Sequence, residues 1–241
     1  FKEAKASFLY TRTAPRKDRK HDVLRNLAIL RTIGKEPENL DQKMHIEISE
    51  EAQQKADELL APYADMPLMG IAPGSVWATK RWTTDGFAKV AREFTSMGYQ
   101  VVIIGGPADA EAAFDVERKA DVALYNLVGK TSLLESAAIV KRFEVLVTND
   151  SAPLHLASSV GTPVVALFCA TVPEFGYGPW GVESEVVGVG GLACRPCGRH
   201  GGNICPTGTH DCQLKLLAED VIGSTKRLLE RVEASRASRT G

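Results

Sequence analysis

Between Leu68 and Phe168 the sequence alternates short apolar runs with amphipathic stretches of helical length, and this alternation limits the fold more than any other feature. Leu68–Ala72, Gln100–Ile104, Leu124–Val128, Val145–Thr148 and Pro163–Phe168 read as strands, and their mostly apolar composition marks a sheet covered on both faces. Thr84–Met97, stopped by Gly98, reads as a helix, as do Asp109–Ala120, Ser132–Phe143 and the segment from Ser151 to Gly161. Ser132 and Glu135 have the spacing of a capping box. Strand and helix in this order predict an α/β fold with a doubly wound parallel sheet.

The flanks are of another kind. Residues 1–20 are basic and irregular and read as a surface loop, after which His21–Ile33 carries Val23, Leu24, Leu27, Ala28 and Leu30 at helical spacing. Residues 34–43 have a linker composition, Ile46 and Ile48 alternate with charge, and Ser49-Glu-Glu opens an amphipathic helix through Leu60. Gln213 to Val232 reads as one final helix before a charged tail. The expected division is the remnant of an amino-terminal domain at 1–43, a linker strand and helix at 44–66, the sheet domain at 67–225, and a helix end and tail at 226–241. The first residue is Phe, and no complete strand–helix unit precedes the linker, so an amino-terminal part is expected to be missing from this chain.

With 241 residues, 44% of them hydrophobic, the chain can bury a full core. A formal net charge of -1 with both signs interspersed argues against nucleic acid as a partner, leaving Arg16-Lys-Asp-Arg-Lys20 and Lys80-Arg81 for local anion contacts. No apolar run approaches the roughly 18–20 residues that span a bilayer, and Phe1-Lys-Glu-Ala lacks the apolar core of a signal peptide. The expected location is the cytoplasm, at the inner face of the inner membrane, with at most peripheral membrane contact through the substrate.

Two stretches lie where strands end at the carboxyl edge of the predicted sheet, which is where open α/β sheets bind ligands. In Val147-Thr-Asn-Asp-Ser-Ala-Pro-Leu-His-Leu-Ala157 a strand turns through Asn149 and Asp150 into a helix whose first N–H groups and dipole suit an anion. Asp150 or Ser151 can cap this helix, Pro153 suits its first turn, and small residues such as Ala152 let a ligand near the backbone. The plainer alternative is that Asn149 and Asp150 only cap a helix. His155, among Leu154, Leu156 and Ala157, reads as a core histidine bracing the turn or as a catalytic base.

The loop Ala72-Pro-Gly-Ser-Val-Trp-Ala-Thr-Lys-Arg-Trp82 combines hydroxyls at Ser75 and Thr79, the cations Lys80 and Arg81, and two indoles. That set suits a diphosphate, with Lys80 as a compact charge and Arg81 as a bidentate fork. Alternatively Trp77 and Trp82 pack and the cations are solvated, Trp82 being the stronger packing candidate. Gly105 and Gly106 allow a nucleotide close to the backbone, with Asp109 or Glu111 accepting from ribose, although a tight turn explains two glycines equally well. Cys194-Arg-Pro-Cys197, Cys205 and Cys212 suggest either a structural zinc site or free, conditionally oxidised thiols, since only the first pair has the C-x2-C spacing.

These pieces resemble the carboxyl-terminal half of glycosyltransferase family 9, the heptosyltransferases of lipopolysaccharide core assembly, and most of all the heptosyltransferase II subgroup. The likeness runs from about Met66 to about Arg231 and rests on five motifs. They are the Ala72–Trp82 loop, Thr148-Asn-Asp-Ser-Ala-Pro-Leu-His155, Pro163-Val-Val-Ala-Leu-Phe168, Phe175-Gly-Tyr-Gly-Pro-Trp-Gly181, and the cysteine loop. The resemblance implies a GT-B architecture, two Rossmann-like domains facing a cleft, with the carboxyl-terminal one holding the nucleotide-sugar donor. It implies an inverting transfer of L-glycero-D-manno-heptose from ADP-heptose to the lipopolysaccharide inner core, with no cofactor required. It further implies that Ser75, Thr79 and Lys80 contact the diphosphate, Lys80 stabilising the leaving group, while Asp109 or Glu111 meets the ribose and Asp150 with its turn meets phosphates or heptose hydroxyls. The family's general base is an Asp of the amino-terminal domain, and nothing in residues 1–43 matches it. Rival expectations are a GT-B transferase or epimerase using another sugar nucleotide, or a non-catalytic donor-binding module.

Overall fold

The computed structural model describes residues 4–15 and 20–240, so the basic stretch at 16–19 lies outside the described residues. Six parallel strands form one sheet: β1 (Leu68–Ala72), β2 (Gln100–Ile103), β3 (Tyr125–Asn126), β4 (Val145–Asn149), β5 (Val164–Leu167) and β6 (Ser184–Val187). Their spatial order is β3-β2-β1-β4-β5-β6, so the sheet grows one way from β1 through β2 and the other way through β4. The expected α/β, Rossmann-like doubly wound parallel sheet is therefore present, and its topological switch point falls between β1 and β4.

Alternation along the strands explains why their sequences are apolar throughout. Met69, Ile71, Val101, Ile103, Val145, Val147, Val165 and Leu167 face one layer, and Leu68, Ala72, Val102, Ile104, Leu146, Val164, Ala166 and Phe168 face the other. The first layer is closed by α3 (Thr84–Ser96), α4 (Ala110–Ala120) and α8 (Ala218–Thr240), and the second by α2 (Glu50–Leu60), α5 (Leu133–Val140) and α6 (Ala152–Val160). At Gly70 the packing leaves no room for a side chain, since a Cβ would lie 2.3 Å from the Phe143 ring and 2.8 Å from Leu146 Cδ1.

Five local expectations change. The linker strand expected beside Ile46 and Ile48 does not form, residues 41–49 having neither helix nor strand. Residues 21–33 form α1 (Asp22–Leu27) followed by a 3-10 stretch to Ile33, not one α-helix. The strand expected at Leu124–Val128 pairs only over β3. The single final helix is interrupted: α7 (Asp211–Leu214) and α8 are separated at 215–217, where Trp82 Nε1 donates to the Leu216 carbonyl at 3.0 Å. Strand β6 is an addition, because an edge strand reading Ser-Glu-Val-Val and only half buried carries no apolar run.

The amino-terminal segment is fastened to the loop after β5. Arg25, 1% exposed, pairs with Asp22 at 2.9 Å, donates to the Phe175 carbonyl at 3.1 Å and lies over the Tyr177 ring. His21 stacks on Trp180 with centroids 4.4 Å apart, with Nε2 2.9 Å from the Gly178 carbonyl, while its Nδ1 accepts from Val23 N. Trp180 in turn donates to the Gln42 carbonyl at 2.6 Å. The segment is thus held by rings and by a buried guanidinium.

Two outcomes follow from this packing. Gly70→Ala is expected to cost about 1–3 kcal/mol through overpacking against Phe143, read from urea unfolding; an unchanged midpoint would mean the ring swings aside freely. His21 is neutral in this setting, its pKa held below 6.5 by burial and only partly restored by Gly178. A lowered folded pKa means the unfolded chain binds the proton more readily, so stability is full above about pH 6.5 and declines as pH falls below it. Urea midpoints at about pH 7.5 and 5.5 should show this drop, and His21→Gln should make it smaller.

Candidate functional site

The cleft opens where β1 and β4 diverge. Both send their chains out of the same edge of the sheet, but β1 leads toward the β2 side and β4 toward β5. Asn149, the last residue of β4 and fully buried, joins the two exits: its Oδ1 accepts from Trp82 N at 2.9 Å, and its Nδ2 donates to the carbonyls of Pro73 at 2.8 Å and Gly74 at 3.3 Å. The side chain is spent inside the protein, so Asn149 shapes the site without presenting its amide to a ligand.

A cleft of about 880 Å³ lies on this edge. Of the residues expected at a donor site, Ser75, Arg81, Gly105, Gly106, Asp109, Ser151, Ala152 and His155 line it, drawn from the ends of β1, β2 and β4. Pro107, Thr131, Leu133 and Ser136 add an apolar and hydroxylic wall, and Met44 to Ile46 of the linker close it from outside. Thr131 precedes the capping-box serine of α5 and so was open to inference. The linker residues carried no local signal, since their place depends on how the linker docks.

Within the cleft the glycine loops are tightly occupied. The Asp109 carboxylate accepts from Gly106 N at 2.9 Å and lies over Gly74, where a Cβ would come within 2.0 Å of Asp109 Oδ1. Helix α6 starts at the cleft without a side-chain cap, because Ser151 Oγ donates back to the Asn149 carbonyl at 3.3 Å. No side chain masks its first turn, unlike that of α5, where Ser132 Oγ accepts from Glu135 N; Pro153 has no N–H and Leu154 N donates to the Ser151 carbonyl at 3.1 Å, which leaves Ala152 N as the donor of that turn. Arg81 donates through Nε to the Ser75 carbonyl at 2.7 Å, and among the described residues its terminal nitrogens have no hydrogen-bond partner. An unpaired guanidinium and an open helix terminus thus share one cleft.

Lys80 and Asp150 are placed differently from that expectation. Lys80 Nζ sits 2.7 Å from Asp150 Oδ2, their side chains 14% and 6% exposed, and Thr171 Oγ1 donates to the same oxygen at 2.6 Å. Neither residue is among those that line the cleft, and the acid stands at the start of α6, where the helix dipole favours negative charge. Thr79 is buried, its hydroxyl turned to Gly202, and Glu111 is exposed on α4 outside the cleft lining. Trp82 is 3% exposed and edge-on to Phe87 in the core, whereas Trp77 stays partly exposed beside the rim. Half-buried His155 is held toward its neutral form chiefly by burial, opposed by the Asp150 charge.

The four loop cysteines, expected either as a zinc site or as free thiols, lie close together: burial and the neighbouring thiols raise the pKa of Cys197 and of Cys212. All are free thiols, and among the described residues no three His, Cys, Asp or Glu side chains converge as metal ligands. Cys212 is drawn into the hydrophobic core beside Leu216, and Cys197 Sγ turns back onto the Cys194 carbonyl at 3.2 Å. Of the four, Cys205 is the most acidic, brought to about 7 by Thr207 Oγ1 and neighbouring backbone N–H groups.

The sequence profile of glycosyltransferase family 9 (heptosyltransferase) matches residues 1–204. Lipooligosaccharide heptosyltransferase 2 of Campylobacter jejuni is 32% identical over 169 residues, covering 68% of this chain and 51% of that protein. Lipopolysaccharide heptosyltransferase 3 of Escherichia coli is 32% identical over 217 residues, 87% of this chain and 60% of the relative. The crystal structure of a family 9 glycosyl transferase from Veillonella parvula aligns with a TM-score of 0.76 at 30% identity, covering 91% of this chain and 63% of that one. The chain spans about half the length of the Campylobacter relative, and its six-stranded unit has the Rossmann-like form of a GT-B glycosyltransferase. With the profile covering most of its length, the chain belongs to glycosyltransferase family 9.

Proposed function

We propose that this chain is the donor-binding half of an inverting heptosyltransferase that moves L-glycero-D-manno-heptose from ADP-heptose to the inner core of lipopolysaccharide. The observation that carries the reading is the shared cleft of Arg81 and the uncapped α6 terminus, which supplies a fork, the Ala152 N–H and the positive end of a helix dipole for a diphosphate. The remaining wall suits a nucleoside: Gly105 and Gly106 let the ribose lie against the backbone, Asp109 offers carboxylate oxygen, and Pro107 with Leu133 provides apolar surface for a base. This polarity sets the donor with its nucleoside toward β2 and its diphosphate toward α6.

In the transfer, an acceptor hydroxyl gives its proton to a base and attacks the anomeric carbon, whose bond to the diphosphate oxygen breaks as ADP leaves with the electron pair. This chain's part is to hold ADP and stabilise its growing charge through Arg81, the Ala152 N–H with the α6 dipole, and the Lys80–Asp150 pair. Its own residues supply the positive charge, so the reading requires no cofactor. No residue here is assigned as the base, which the resemblance places in an amino-terminal domain, and residues 1–43 are read as the end of such a domain. No helix among the described residues is long and apolar enough to cross a membrane; in this reading contact with the inner face of the inner membrane comes through the lipopolysaccharide acceptor.

Calorimetric titration with ADP, UDP and GDP tests the donor. ADP is expected to bind in preference to the others, and Arg81→Ala to weaken it by about 1.5–3 kcal/mol, the range for a charge-assisted hydrogen bond. Equal binding of UDP or GDP would overturn the choice of donor, and absence of all binding would overturn the reading of the cleft.

A further inference from the structure

The cysteine-rich loop grips the diphosphate-side loop at one point. Thr79 N donates to the Gly202 carbonyl at 2.9 Å, Thr79 Oγ1 donates to the same oxygen at 2.9 Å, and Gly202 N donates back to Thr79 Oγ1 at 2.8 Å. Both hydrogen-bonding roles of one buried hydroxyl are thus used on one residue 123 positions away. Gly201 makes the approach feasible: its φ of +74° is in the left-handed region, and a Cβ there would lie 3.1 Å from both Lys80 Cγ and Thr79 Oγ1.

The gripping loop is itself mounted on the sheet. Arg195 donates to the carbonyls of Phe168 at 2.8 Å, Thr171 at 2.9 Å and Val189 at 2.7 Å, and Cys197 N donates to Ala170 O at 2.9 Å, which fixes the loop's start to the exit of β5. At its other end Gln213, on α7, donates to the carbonyls of Ala78 at 2.9 Å and Arg81. Because β4 lies between β1 and β5 in the sheet, this connection bridges from the exit of β5 to the loop after β1, across the end of β4. The turn bearing Lys80 and Arg81 is therefore held from behind by groups that the cleft does not contain.

We propose that Thr79, clamped by Gly202, is a positioning residue: the cysteine-rich loop acts through it to hold the Lys80–Arg81 turn in the geometry that meets a nucleoside diphosphate. This rests on the proposed donor site and adds to it that diphosphate affinity, as distinct from nucleoside affinity, is set from the cysteine-rich loop. Free of the clamp, the turn samples other backbone states, and ordering it on binding costs affinity for the phosphates alone. The nucleoside wall at Gly105–Asp109 has no bond to the clamp, so its contribution is unchanged.

The test is titration of the full chain with ADP and with adenosine, comparing wild type, Thr79→Val, Thr79→Ser and Gln213→Met. Thr79→Val and Gln213→Met are expected to lose ADP affinity by about tenfold while adenosine affinity stays within about twofold, and Thr79→Ser, which keeps the hydroxyl, to bind ADP like wild type. Gln213→Met loosens the same turn from its other side and carries the test should Thr79→Val not fold. Wild-type ADP affinity in Thr79→Val, a parallel fall of ADP and adenosine, or failure of Thr79→Ser to restore ADP binding would each overturn the inference while leaving the donor reading standing. A wild-type chain that binds no ADP would overturn that reading, and the inference with it.

Discussion

The site depends on a single buried amide. Asn149 terminates β4 and spends its side chain on Trp82, Pro73 and Gly74, so that the loop leaving β1 and the helix following β4 are set relative to each other by hydrogen bonds in a dry environment. A side-chain amide supplies a donor and an acceptor on one short planar group, and the extra methylene of glutamine would move both. A carboxylate in its place would face two carbonyls with no proton to give, and a hydroxyl could not span the three partners. The diverging strands make a crevice, and Asn149 makes it one of fixed width.

Much of the fold could be read in the sequence because it follows from periodicity. Strands β1, β2, β4 and β5 are nearly continuous apolar runs since both faces are covered, and Gly98 and Gly161 end their helices in left-handed conformations. Where local pattern failed, tertiary contact had replaced it. Strand β6 pairs with β5 at the sheet edge although its residues are half polar, and Arg231 of α8 reaches over to Glu185 and the Ser184 carbonyl. The break between α7 and α8 has no proline or glycine; its turn is tied by Trp82, 134 residues earlier.

The candidate site was legible as loops and not as side-chain directions. The strand-end positions of Ser75, Gly105 and Ser151 follow from the alternation of strand and helix, and they line the cleft. Thr79, Asn149 and Asp150 sit in the same loops with the same chemistry, yet face protein, because a hydroxyl or amide suited to a phosphate is equally suited to a carbonyl. Only the arrival of Gly202, Trp82 and Thr171 decides between the two, and none of those is near in sequence. Cys212 shows the same ambiguity: it is a small apolar side chain as much as a thiolate, and it packs in the core.

Burying Lys80 against Asp150 gives the site its electrostatic character. Two opposite charges so little exposed would lose more in desolvation than they recover unless further bonds satisfied them, and Thr171 Oγ1 and the Asp150 carbonyl provide those bonds. The lysine is thereby fixed in place as well as neutralised, close behind a helix terminus that favours anions. A phosphate arriving at α6 therefore meets a positive partial charge backed by a dipolar ion pair, and Arg81 provides the net charge in front of it. Preorganisation of this kind lowers the reorganisation required as negative charge builds on a leaving diphosphate, which is the condition under which fixed dipoles stabilise such charge better than water does.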